Sequence, residues 1–339
     1  MFKKHITSLT IALFLSVLNV QAQENYVNGI TKQQEQQIDS LFSRWGDASK
    51  PGVIMAILND NKLVYQKSFG SVDIESRQPI LKTTKFQLSR MARHFTAFGV
   101  LLLESQGKLS LQDDIKKYIT QLSNFKGSIR IIDLLNQSDG LYDYNILNVV
   151  SGRPFYPKLS HRESMQLLAE QKELNFEPGS DFVDFTTDTG IMLLTEIIQK
   201  VSKKSFAAFM KDEVFTPLGM NNTEFVASQN VALTNLATPY LNIEDKFVYS
   251  NTYENVYGTT NLFSTLEDLV KWELNMLTPK LGNKTLFEKL NSVITLKNGK
   301  ELNTSRGQLT LGQQYGHYER GLYSIYYTGG YGGLSLIHI

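Results

Sequence analysis

"FQLSRMARHFTAF", residues Phe86 to Phe98, is the stretch on which the reading of this chain turns. Leu88, Met91, Ala92, Phe95 and Phe98 recur at helical spacing, and Gly99, Leu102 and Leu103 extend the same wide face. No charge falls between Phe95 and Leu103, so a helix over 87–105 is expected to be buried on nearly all sides. Yet its first turn carries Arg90 and Arg93, three residues apart and therefore on one face. Cations there oppose the helix dipole, at a cost of ~0.3–1 kcal/mol each when unpaired. Either that face is solvated, or the fold supplies anions to it.

Working outward, "GVIMAILNDNKLVYQKSFG" reads as a hairpin turning at Asn59-Asp60-Asn61. Before it, Ile38, Leu41, Phe42 and Trp45 mark a helix over 31–46 that Pro51-Gly52 stops. After the central helix, "SQGKLSLQDDIKKYI" gives a glycine turn and a short helix. Helices are expected over 161–175 and 188–213, the second ended by Pro217-Leu218-Gly219-Met220. Another spans 264–278, with Ser264 or Thr265 as N-cap and Glu267 in its first turn. Asn298-Gly299 signals a hairpin, and "GLYSIYYTGGYGG" a strand followed by glycine breaks. Strands near both ends with helices between them predict one sheet built from both termini, with a helical insertion.

Composition narrows the function classes. Of 339 residues, 42% are apolar and 20% charged, a globular balance. The net charge of +1 supplies no field for nucleic acid. Lys3 and Lys4, the apolar run Ile6 to Val20, and Val20-Gln21-Ala22 make a signal peptide over 1–22, so Gln23 would open the exported chain. The run is shorter than the ~20 residues that span a bilayer, so no membrane anchor is expected after cleavage. There is no cysteine, which excludes disulfides, thiol catalysis and cysteine-based zinc sites. No metal-ligand spacing appears and no cofactor is expected.

Six segments in order resemble the serine β-lactamase and penicillin-binding-protein family, in its class C, D-aminopeptidase and esterase-like branch. They are "PGVIMAILNDNKLVYQKSFGSVDIES", "FQLSRMARHFTAFGVLLLESQGKLSLQDDI", "LLNQSDGLYDY", the stretch from "EPGSDFVDFTTDTG" to "FTPLGM", "GTTNLFSTLEDLVKWELNM" and "YYTGGYGG". The resemblance implies an α/β (α+β) fold, an antiparallel sheet flanked by helices with an inserted, mostly helical subdomain. The α/β part would be residues 23–85 and 285–333, and the helical part 86–284. It also implies a cleft with a Ser-x-x-Lys nucleophile and base, a Tyr-x-Asn and a Lys-Thr-Gly or His-Thr-Gly strand.

This chain departs at each of these elements. Arg90 stands at the serine and Arg93 at the lysine; a guanidinium stays protonated and cannot act as a base. Thr186, Thr187 and Asp188 stand at Tyr-x-Asn, and Tyr327-Thr328-Gly329 at the last motif, without its cation. Ser89 adjoins the serine position but has no lysine three residues on. The Ser-x-x-Lys strings at Ser105–Lys108 and Ser123–Lys126 are what chance provides with 27 serines and 25 lysines. His94, His161, His317 and His338 lack a triad context and read as surface or satisfied buried histidines.

Two expectations follow for the altered cleft. Arg90 or Arg93 should pair with Asp139, Asp184 or Asp188 in a network filling the old catalytic centre. A cation left over would bind an anionic small molecule, a peptide carboxylate or a cell-wall fragment, in a groove offered by Tyr142, Tyr144, Tyr253, Tyr257, Tyr327 and Tyr331. The expected function is that of a non-catalytic, periplasmic or secreted relative. The alternatives are an active serine hydrolase with an unrecognised nucleophile, and a structural or assembly role in which the fold only presents a surface. A last reading concerns residues 334–339: Leu-Ser-Leu-Ile-His-Ile is what CTG TCT CTT ATA CAC ATC encodes, a transposon end used in sequencing libraries, so this tail is expected to be non-native and the sheet to lack later strands.

Overall fold

A computed structural model describes residues 26–27, 29–123, 125, 127–153, 159–182, 188–226, 233–250, 256–319, 321–331 and 334–338. The N-terminal hairpin forms where its turn chemistry puts it. Strands Val53–Asn59 and Lys62–Phe69 pair antiparallel. Asp60 and Asn61 both take left-handed φ angles of 49° and 59°, as a two-residue hairpin turn requires. Tyr26–Val27 adds to the free side of the second strand. The helix Lys32–Phe42 opens on a reciprocal Thr31–Gln34 cap and continues into a 3-10 turn over Ser43–Trp45. Leu41, expected on its apolar face, is 72% exposed. Asp39 fixes the helix instead, accepting from Tyr65 Oη at 2.9 Å and Lys67 Nζ at 2.6 Å.

The central helix runs Ala92–Ser105 rather than 87–105. Phe86–Gln87 is a short strand paired with Phe263–Ser264, and Ser89–Met91 is a 3-10 turn. The physical reason is Ser89, whose φ of 50° no α-helix accommodates. From Ala92 to Leu103 every residue is buried; the absence of charge predicts this from Phe95 onward, whereas the burial of Arg93 does not follow from it. Trp272 fills the space beside this helix, with ring centroids 4.6 Å from Phe95 and 4.9 Å from Phe98. Each such aromatic contributes about 1.5–3 kcal/mol by burial.

The helix expected over 188–213 is broken in two. Thr189–Ser202 ends at Lys203, in left-handed geometry, and Ser205 then caps Phe206–Met210, which widens into a π-type turn over Lys211–Phe215. Apolar spacing runs through this break, so periodicity alone missed it. The helix expected over 161–175 stops at Ala169. Leu266–Leu277 begins at its Thr265 cap and packs on the Val53–Asn59 strand.

The C-terminal sheet is antiparallel throughout, in the order Asn303–Thr304, Gly307–Leu309, Tyr315–Glu319, Leu322–Tyr331, Leu334–His338. The Asn298-Gly299 turn exists, with Gly299 at φ 83°, but is flanked by the single bridge Thr295–Glu301 rather than by extended strands. The expected single sheet does not form among the described residues. The three-stranded N-terminal sheet and the five-stranded C-terminal sheet remain separate. Leu334–His338, most of the tail expected to be non-native, pairs with Tyr327–Tyr331 as the outermost strand. A third small sheet, Phe86–Gln87 with Leu262–Ser264 and Glu224–Phe225, ties the start of the central helix to the helical region.

Candidate active site with an arginine pair

The backbone turn at Ser89 throws Arg90 and Arg93 into different environments. Arg90 lies in the 3-10 turn and is half-buried. Its carbonyl accepts from Tyr327 Oη, and among the described residues no carboxylate pairs with its guanidinium. Arg93 lies in the first turn of the α-helix and is 1% exposed. This excludes the solvated face. Arg93 Nη2 donates to Asp188 Oδ1, while its Nε and Nη1 have no hydrogen-bond partner among the described residues. Burial alone would depress this guanidinium, but Asp188, with Tyr327 beside it, raises it above its ordinary value.

Asp188 stands directly ahead of the helix Thr189–Ser202 and is itself held. Its backbone N–H donates to Asp143 Oδ2 at 2.7 Å. Asp143 caps the helix Tyr144–Val150, accepting at Oδ1 from Asn145 N at 2.9 Å and Ile146 N at 3.3 Å. Burial, then the charge of Asp188, pushes the Asp143 carboxyl up, against these N–H donors. Asp143 was not among the residues expected here. Its signal was an aspartate just ahead of a short apolar helix.

Of the expected acidic partners, Asp188 alone among the described residues reaches an arginine. Asp139 does not: its Oδ1 accepts from Leu141 N at 2.8 Å and its buried Oδ2 has no hydrogen-bond partner among the described residues. Burial pushes this carboxyl up to about 7, with Asp133 and Asp143 adding to the effect. A Cβ on Gly190 would lie 2.9 Å from Asp139 Oδ2, so the glycine makes room for the carboxyl. Asp184 and Thr186 lie outside the described residues.

The Tyr327-Thr328-Gly329 strand closes the other side. Gly329 sits so near the Ser89 turn that a Cβ there would come within 3.1 Å of Leu88 O and Ser89 Cβ. Tyr327 is 3% exposed and burial pushes its phenol up, though Arg93 pulls it down. The side chains of Thr328 and Tyr331, and all of Tyr253, are outside the described residues. Among the described residues the expected tyrosine groove loses two of its rings to the core. Tyr144 and Tyr327 are core residues, Tyr257 is half-buried and Tyr142 is exposed.

Among the described residues, Ser89 Oγ is buried without a hydrogen-bond partner. His94 is a satisfied buried histidine. Trp272 Nε1 donates to its Nε2 at 3.2 Å, so Nδ1 carries the proton toward Gly312 O at 2.8 Å. His161 pairs with Glu196 at 2.7 Å. No metal-holding cluster occurs among the described residues. A cavity of about 230 Å3 bordered by Arg130, Asp133 and Lys297 includes none of these groups. It is therefore not the site toward which the arginines point.

The beta-lactamase family model matches residues 35–337. The chain is 24% identical to a D-aminopeptidase of Brucella anthropi over 251 residues, covering 74% of this chain and 47% of that protein. It is 26% identical to penicillin-binding protein 4* of Bacillus subtilis over 294 residues, 80% of this chain and 62% of that one. The chain thus spans about half to three fifths of the length of these relatives. The octameric penicillin-binding protein homologue from Pyrococcus abyssi superposes with a TM-score of 0.73 at 24% identity, over 90% of this chain and 69% of that one.

Proposed function

Since the chain belongs to the beta-lactamase family, we propose that it is a catalytically inactive member of this serine hydrolase group, exported, and that it binds an anionic ligand or peptide in the former catalytic cleft. The observation that carries the reading is Arg93. It is buried and paired to Asp188, at the position that the sequence resemblance matches to the family's lysine. A base must give up its proton in the acyl-transfer step. A guanidinium beside a carboxylate does not.

Arg90 takes the place of the attacking serine and brings a charge without a described counter-ion. A half-buried cation without a carboxylate favours an anion that can reach it. The anion proposed is a short peptide or cell-wall fragment with a free carboxylate, and a relative named as a D-aminopeptidase is in keeping with a peptide. An active hydrolase would need a nucleophile with a base in reach, and among the described residues Ser89 Oγ has no hydrogen-bond partner.

The test is ligand-dependent melting. Short peptides of D-amino acids with a free C-terminal carboxylate should raise the melting temperature. The same peptides with an amide end, or an Arg90→Ala variant, should show no rise. Hydrolysis of the peptides, or a rise indifferent to the carboxylate, would refute the reading. Export through residues 1–22 is checked by N-terminal sequencing of secreted protein, which should begin at Gln23.

A further inference from the structure

Far from the arginine pair in sequence, the strands Tyr240–Ile243 and Lys246–Tyr249 form a hairpin that pairs with no other strand among the described residues. Its two-residue turn is Glu244-Asp245, both at left-handed φ. The base is fixed: Asp73 Oδ2 accepts from Tyr240 Oη at 2.9 Å and from Thr238 Oγ1 at 3.0 Å. Ser250 N donates to Pro239 O at 3.0 Å. Beyond that base four apolar side chains stand open among the polar Asn242, Glu244, Asp245 and Lys246. Leu241, Ile243, Val248 and Tyr249 are 45%, 52%, 46% and 59% exposed. A two-stranded hairpin is marginal alone, and an uncovered apolar strand edge is a template for another strand.

We propose that a second copy of this chain pairs along the strand Lys246–Tyr249, antiparallel, about a two-fold axis through Val248. The register follows from symmetry. Residues directly opposite in an antiparallel pair share a face, so a two-fold axis normal to the sheet sets one residue opposite itself. Centred on Val248, valine meets valine. Phe247 then faces the second copy's Tyr249, twice by symmetry, an aromatic cross-strand pair of the stabilising kind. Lys246 falls opposite Ser250. The acidic Glu244-Asp245 turns lie at opposite ends, so like charges do not meet. Centring on Phe247 would set Lys246 against Val248. On the other strand, centring on Leu241 sets Tyr240 against Asn242, and centring on Asn242 sets two amides face to face. The strand Lys246–Tyr249 is the one whose sequence complements itself.

The absence of cysteine makes the test clean. In the full chain, Val248→Cys introduces one thiol, and opposed residues have Cα atoms about 4.5–5.5 Å apart, within disulfide range. Mild oxidation should convert it to a disulfide-linked dimer on a non-reducing gel. Leu241→Cys, on the outer strand of the four-stranded sheet, should stay monomeric because its thiols lie about 14 Å apart at the usual strand spacing. The unmodified chain should sediment at twice its protomer mass, and Val248→Lys at the protomer mass with an unchanged circular dichroism spectrum. A monomer at every concentration, or cross-linking through Leu241→Cys instead of Val248→Cys, overturns the proposal.

Discussion

Replacing Asp188 by asparagine removes the counter-charge of Arg93 and little else. The side-chain shape is kept, and the backbone N–H still reaches Asp143 Oδ2. The side chains of Arg93 and Asp188 are 1% and 16% exposed. Breaking a buried pair from one side strands the other charge and costs about 3–5 kcal/mol. Because Asp188 borders water, solvent relieves part of the penalty, so the lower end, about 3 kcal/mol, applies. At roughly 2.1 cal/mol/K of unfolding entropy per residue, this lowers the melting temperature of a chain of this size by about 4–5 °C. Adding Arg93→Met to Asp188→Asn removes the stranded cation and should recover more than half of the loss. Calorimetry on the two single variants and the double gives the coupling directly. An unchanged melting temperature for Asp188→Asn, or a double variant that loses the sum of the singles, would refute the argument that this pair fills the site.

Other outcomes follow from the same geometry. The Asp139 carboxyl, raised to about 7 when folded and near 4 when unfolded, binds more protons in the native state across that range. Its contribution is therefore full below about pH 4 and is lost as pH rises through about 7. Asp139→Asn should flatten the fall in melting temperature between pH 4 and 7 and stabilise the chain at pH 8, by at most about 4 kcal/mol; an unchanged slope would show that another group sets it. Gly140→Ala should lower stability by more than about 1 kcal/mol, because φ is 75° and the added Cβ would lie 2.2 Å from Phe176 O. Equal denaturation midpoints would contradict that. Arg90→Ser with Arg93→Lys should remain unreactive to acylating probes, because an ammonium beside Asp188 keeps its proton. Mass spectrometry after incubation with penicillin checks it.

Much of the fold was legible because it rests on local rules. The Asp60-Asn61 turn, the Thr265 cap and the buried stretch from Phe95 to Leu103 each follow from residue type and spacing. The break at Lys203 and the start of the central helix at Ala92 were not legible. Both depend on single residues in left-handed geometry, which apolar periodicity does not register. In the site, charge pointed to an Arg–Asp contact, and the Arg93–Asp188 pair makes it. Charge could not say that Asp139 would turn to its own loop. That choice is made by Leu141 N–H and by the space at Gly190, which exist only once the chain is folded. Asp143 escaped notice because its work is done through the backbone of Asp188.

The most direct measurement of the central claim is intact mass after incubation with a fluorescent penicillin and a fluorophosphonate. Folded protein, verified by its melting transition, should show no added mass with either probe at any pH at which it stays folded. A stoichiometric adduct would contradict the account, and peptide mapping would then identify the nucleophile that Arg90 and Arg93 were held to have replaced.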